Sequence, residues 1–223
     1  MTATSTRVGS TSAGGVRIEH LTTSGTFSLD GGTWDVDNNV WVIGDDQECV
    51  VIDAPHEAAP ILEAIGDRTL LAILLTHAHD DHVTVVPEVL EAHPEAKVAL
   101  HPDDLVLWRQ SHPELEPTQA LADGDVISVG DVELVVLHTP GHAPGACCFH
   151  ASELQALFSG DTLFKGGPGA TGRSYSDFPT IIDSIRDRLL TLPPETIVYT
   201  GHGDSTTIGA EKPGLEEWIL RGH

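Results

Sequence analysis

At 223 residues with 40% hydrophobic content, the chain is long enough to bury one substantial core, and none of its apolar runs approaches the ~20 residues that span a bilayer. Acidic residues outnumber basic ones 34 to 11, and the net charge of −23 argues against a nucleic-acid partner, because phosphate binding relies on clustered Lys and Arg. Cys49, Cys147 and Cys148 are odd in number and form no Cys-x-x-Cys, so they read as small buried residues of a reducing compartment, not a disulfide framework.

Residues 1–15 are rich in Ser, Thr and Gly and lack the apolar core of a signal peptide. They are expected to form a disordered tail, leaving residues 16–223 as a single domain with the cytoplasm as the default location. Strand-like runs at 39–43 and 49–52 flank the turn-like Gly44-Asp45-Asp46, and Asp53 and His56 follow the second run. Helical spacing over 57–65 leads to an apolar strand at 70–75, which runs directly into Thr76-His77-Ala78-His79-Asp80-Asp81-His82. Residues 83–92 predict a helix, 97–100 a strand, 102–110 a helix opened by Pro102-Asp103-Asp104, and 111–124 a loop. Strands at 126–129 and 132–137 flank Gly130-Asp131 as a hairpin, and 146–149 with 154–158 form a second pair. A helix over 181–190, a last strand at 197–200 and a helix over 214–221 complete the chain. The two halves read as a faint duplication, each strand-rich and each ending in metal-type motifs.

Those motifs carry the chemistry. His77 and His79 are two apart, so an extended exit from the strand turns both rings to one side, with Asp81 and His82 close behind. His142, Asp161 and His202 each follow an apolar stretch beside Gly or Pro. Polar side chains so placed at the mouths of buried strands need partners. Imidazoles and carboxylates bind zinc-like ions without a redox-active thiol, and this set suffices for two adjacent ions with room for water, a hydrolase-type centre.

His77-x-His79-x-Asp81-His82 followed by His142, Asp161 and His202 resembles the metallo-β-lactamase fold superfamily, over residues 34–218. The segments Thr-Pro-Gly-His at 139–142, Ser-Gly-Asp-Thr-Leu-Phe at 159–164 and Gly-His-Gly-Asp-Ser-Thr-Thr-Ile-Gly at 201–209 resemble its short, single-domain glyoxalase II branch. The resemblance implies an α/β fold, a four-layer αβ/βα sandwich of two packed mixed sheets with helices on the outer faces and the ligands at one edge. It implies His77, His79 and His142 on one divalent ion, Asp81, His82 and His202 on a second, Asp161 bridging, and Asp53 supporting the metal loop from behind. The expected ions are zinc, with iron or manganese also acceptable to these donors.

The implied activity is hydrolysis of a thioester of a small carrier thiol (hydroxyacyl- or formyl-thiol, glutathione- or mycothiol-type) by a metal-bridging hydroxide from which Asp81 accepts a hydrogen bond. The chain stops soon after His202, short of the helical C-terminal domain that full-length glyoxalase II uses for part of its glutathione contact. That ending, the acidity and a likeness to proteins of mycothiol-using actinobacteria favour a neutral carrier thiol. A mononuclear iron persulfide dioxygenase and a lactonase or β-lactamase are the alternatives. The complete second ligand set counts against the first, and the bridging Asp161 against a β-lactamase. The glycine-rich segment 165–175 is no phosphate loop and reads as a flexible rim, with Lys165, Arg173 and Tyr175 as candidate substrate contacts.

Overall fold

The computed structural model describes residues 5–222. Strands β1 (Thr6–Thr11), β2 (Arg17–Leu29), β3 (Gly32–Gly44), β4 (Glu48–Ile52), β5 (Thr69–Leu74), β6 (Lys97–Leu100) and β7 (Gln119–Ala120) form one sheet in that order. The first four pair antiparallel, and β4 through β7 run parallel. The second sheet has the order β15-β14-β11-β10-β9-β8, built from β8 (Val126–Val129), β9 (Val132–His138), β10 (Cys147–Ala151), β11 (Ala156–Gly160), β14 (Ile197–Thr200) and β15 (Thr206–Thr207). Strands β12 (Leu163–Phe164) and β13 (Gly167–Pro168) make a small hairpin beside it. Helices α1 (Ala58–Ile65), α2 (Asp80–Val83), α3 (Val86–Ala92) and α4 (Leu105–Ser111) belong to the first half; α5 (Phe178–Ser184), α6 (Ile208–Glu211) and α7 (Leu215–Arg221) belong to the second.

Alternation along the strands produces the layers, since successive side chains point to opposite faces. In β4, Val50 and Ile52 face the second sheet and join Ile43, Leu74, Phe149, Phe158 and Tyr199 in the central core. Val51 faces outward onto Ile61, Ile65, Val89 and Trp108 of the first helical layer. The adjacent thiols divide in the same way. Cys147 points into the central core, whereas Cys148 packs with Ile181, Ile185 and Trp218 on the opposite face. All three cysteines are buried and free, and burial pushes Cys49 and Cys148 up to about 11. The architecture is the expected sandwich of two mixed sheets between helices.

Each half runs an antiparallel meander and then crosses over through a helix to a parallel strand: β2-β3-β4, α1, β5 in the first, β9-β10-β11, α5, β14 in the second. Asp53 and Asp161 follow corresponding strands, as do the His77–His82 loop and His202. The faint duplication is real at the level of topology. No helix among the described residues is long and apolar enough to cross a membrane.

Several elements differ from expectation. The proposed tail is ordered from residue 5: β1 pairs with the start of β2, Ser10 Oγ donates to Leu154 O at 2.7 Å, and Gly14 N donates to Asp131 at 2.6 Å. Residues 1–4 lie outside the described residues. β1 is almost wholly exposed and is held by backbone pairing, which a polar composition neither requires nor forbids. The long β2–β3 ribbon was legible only in its last residues, because the inward face of its distal half on β2, Thr23, Gly25, Phe27 and Leu29, carries too few apolar side chains to read as a strand. Its turn, Asp30-Gly31, has positive φ at both positions (53° and 78°), the geometry a tight hairpin demands. The helix expected over 83–92 starts only at Val86 as α3, and a separate turn of helix, α2, precedes it and carries Asp81 and His82. The 111–124 loop contains the short β7, and β15 follows what reads as the last strand.

Candidate metal centre

The seven motif residues, 125 positions apart at their extremes in sequence, meet at one edge of the sandwich. His77 and His79 leave β5, Asp81 and His82 ride on α2, His142 follows β9, Asp161 follows β11 and His202 follows β14. Two sets of donor atoms emerge, His77-His79-His142 and Asp81-His82-His202, with ligand atoms in each set within 4.8 Å of one another. In the first, His79 Nδ1 lies 3.0 Å from His77 Nε2 and 3.1 Å from His142 Nε2. In the second, His202 Nε2 lies 3.3 Å from both His82 Nε2 and Asp81 Oδ2. Asp161 stands between them: Oδ2 is 3.6 Å from His142 Nε2 and 3.3 Å from His202 Nε2, and Oδ1 is 3.5 Å from His82 Nε2.

Hydrogen bonds behind the rings set their tautomers. His142 Nδ1 donates to Ala170 O and His202 Nδ1 to Asp37 O, both at 2.8 Å. His82 Nδ1 donates to Asp53 Oδ2 at 2.8 Å, and His77 Nδ1 to Thr76 Oγ1 at 3.1 Å. With those protons committed, each Nε2 turns inward. In the first set, nitrogen lone pairs 3.0–3.1 Å apart repel unless a cation lies between them, and such second contacts commonly orient ligating imidazoles. Asp161 Oδ1 and His79 Nε2 are buried with no hydrogen-bond partner. The donor set therefore fits divalent ions.

The electrostatics agree. Burial, reinforced by neighbouring imidazoles, holds His77 well below the usual histidine range and His79 down at about 3, so the first set offers neutral nitrogens at pH 7. Burial alone would also lower His82, but Asp81, Asp161 and Asp53 raise it well above its ordinary value. His202 rises to about 10 against its burial, chiefly through Asp161. Asp161, which burial would raise, is held well below the carboxylate range by His202 and His82. In the second set, protons occupy the place a cation would take, and metal binding would release them.

Three supporting residues escaped the sequence reading. Asn38 on β3 donates from Nδ2 to Asp81 Oδ2 at 3.1 Å, and its Oδ1 accepts from His56 Nε2 at 2.7 Å, which gives His56 a place behind the centre. Asn39 ties the last ligand loop down, donating to Thr200 O at 3.0 Å and Gly203 O at 2.9 Å. Two consecutive buried Asn at the start of an apolar run were the available signal. Asp104 accepts from Ala78 N at 2.8 Å and Gly145 N at 2.5 Å, joining the His77–His79 loop to the His142 loop. Asp53 also accepts from Thr76 N and Thr76 Oγ1, each at 2.8 Å. Gly201 is constrained by approach: a Cβ there would lie 2.1 Å from Asp161 Oδ1.

A cavity of about 190 Å³ opens onto both donor sets and is walled by Phe27, Leu29, Trp34 and Val36 of the β2–β3 ribbon. Of the three candidate substrate contacts, Arg173 lines it. Lys165 instead pairs with Asp204 at 2.9 Å on the surface, and exposed Tyr175 lines a neighbouring cleft with residues 28–33.

Two packed mixed sheets with a His/Asp cluster at one edge define a metal-binding protein of the metallo-hydrolase type. The chain belongs to the metallo-beta-lactamase superfamily, whose sequence profile matches residues 33–202. It is 33% identical to hydroxyacylglutathione hydrolase GloC of Haemophilus influenzae, over 75% of this chain and 86% of that protein. It is 36% identical to hydroxyacylglutathione hydrolase of Aeromonas salmonicida over 74% of this chain, a match spanning 61% of that relative's length. Among solved structures, TTHA1623 in a di-iron-bound form is 33% identical, with a TM-score of 0.71 over 85% of this chain and 96% of that one.

Proposed function

We propose that the protein hydrolyses thioesters of a small carrier thiol, glutathione- or mycothiol-type. His77, His79 and His142 would hold one divalent ion, Asp81, His82 and His202 a second, and Asp161 would be shared. The observation that carries this reading is the convergence of two complete donor sets on one carboxylate. The hydroxyacylglutathione hydrolases among the relatives support the thioester class. When bound, such ions lower the pKa of water towards 7 and polarise a carbonyl oxygen.

The chain's own residues do the rest. Asp81, oriented by Asn38, accepts a hydrogen bond from the attacking water and aims its oxygen at the acyl carbon. His56 steadies Asn38, and Asp53 keeps His82 in the tautomer that faces the centre. Phe27, Leu29 and Trp34 limit water to that one face. As the new C–O bond forms, the water gives up its protons and the C–S bond breaks; one proton goes to the leaving thiolate and the other to solvent, and the products are a carboxylate and a thiol.

Zinc is the ion we assign first, and the di-iron-bound neighbour makes iron its competitor. Elemental analysis of protein purified without added metal should give about two ions per chain, alongside turnover of S-acyl thioesters. One ion per chain with no thioester turnover, but oxygen-dependent turnover of a persulfide, would replace this reading with the mononuclear dioxygenase.

A further inference from the structure

Arg173 is held in an unusual way. Its guanidinium carbon lies over two aromatic rings, 3.8 Å from the Trp34 ring centroid and 5.2 Å from that of Phe27. The backbone beneath is pinned: Arg173 N donates to Ser176 Oγ at 3.1 Å, Ser176 Oγ donates to Arg173 O at 2.7 Å, and Ser174 N donates to Asp30 Oδ2 at 3.0 Å. Yet Nη1 is buried without a hydrogen-bond partner. A half-buried guanidinium seated over two aromatic rings, with one buried nitrogen unpartnered at the wall of an apolar cavity, is organised for an acceptor supplied from outside the protein. Arg173 is also the one Lys or Arg side chain among the residues lining that cavity.

The size of the cavity indicates which part of the substrate reaches it. About 190 Å³ is below the range of pockets that enclose drug-sized ligands, so it suits a short acyl group and leaves a bulky carrier thiol outside. The same cavity opens onto His79, Asp81, His142, Asp161 and His202, where the thioester carbonyl has to sit.

We propose that Arg173 makes this site selective for short acyl groups carrying an acceptor oxygen, best a carboxylate, at the end away from the thioester. Substrates would then be ω-carboxyacyl thioesters in preference to plain alkanoyl ones. This selectivity rests on the thioesterase reading above. Trp34 acts as a positioning residue that holds the guanidinium plane towards the cavity.

The test compares succinyl and butanoyl thioesters of one neutral thiol, which share a four-carbon chain, using metal-loaded protein at 0.15 M salt. The wild type should favour succinyl by about tenfold or more in kcat/KM, and R173Q should bring that ratio close to one. R173K keeps the charge but loses the planar guanidinium and should fall between, while W34L should lower the ratio with Arg173 still present. A ratio near one in the wild type, or one that survives in R173Q, overturns the proposal. If wild type hydrolyses neither ester, the thioesterase reading fails, and selectivity is read from thermal stabilisation by free succinate against butanoate. A succinate advantage in wild type that R173Q loses supports the Arg173 assignment; equal shifts in the two proteins overturn it.

Discussion

Asp161 joins two donor sets that would otherwise face each other as a concentration of imidazole lone pairs and protons. Its neighbours are ligand atoms, whereas the cohesion of the fold lies in the three apolar clusters between and outside the sheets. Asp161→Ala should therefore damage function far more than folding. We expect thioesterase activity to fall at least about 100-fold and metal content to drop, while the variant keeps its circular dichroism and a cooperative melt. Near wild-type turnover by that variant would show that the carboxylate does not organise the centre. At this scale the ligands were legible because four donors in six residues have no ordinary structural use. Asn38, Asn39 and Asp104 were not, since each acts on a partner 26 to 164 positions away and resembles any other polar residue until the chain folds.

Among elements, the loops behind the ligands depend on Asp104. It is fully buried and accepts a backbone N–H from each of two loops that carry ligands. Burial raises its carboxyl to about 6, with the Gly145 and Ala78 N–H groups opposing. Between about pH 4 and pH 6 the folded state thus binds more protons at this site than the unfolded chain. Its contribution is fully present below pH 4 and lost as pH rises through 6, a swing of about 3 kcal/mol. Asp104→Asn removes that titration and also leaves one of the two N–H groups facing an amide instead of an oxygen. Its stability deficit against wild type, from urea midpoints, should be largest near pH 4 and shrink towards pH 7. A deficit that grew with pH would contradict this account. The variant should also lose activity, because both ligand loops shift.

The whole molecule carries −23 charges, and a thioester of an anionic carrier thiol must approach through that field. Its kcat/KM should rise as salt is increased from about 20 to 200 mM, because the Debye length shrinks from roughly 20 Å to below 10 Å. The matching ester of a neutral thiol should be nearly insensitive, and at low salt should be the better substrate. Faster use of the anionic ester at low salt would mean that a local basic feature outweighs the global charge. Arg173 acts at contact distance on the acyl end, so its selectivity is separable from this long-range effect by measuring it in screened buffer.

The sequence by itself determined the His/Asp cluster, most core strands and, through its family resemblance, the sandwich class, because strand alternation and motif chemistry are local in the chain. Pairing of the polar β1, the reach of the β2–β3 ribbon and the placing of Arg173 on Trp34 were decided only in the tertiary structure. Exposed backbone pairing leaves no hydrophobic pattern to read, and Trp34 and Arg173 are 139 positions apart. Lys165 and Arg173 looked equivalent in sequence, both on the glycine-rich segment that follows Asp161. The fold sends one to Asp204 at the surface and turns the other into the cavity, since a loop without periodicity takes its direction from what it packs against.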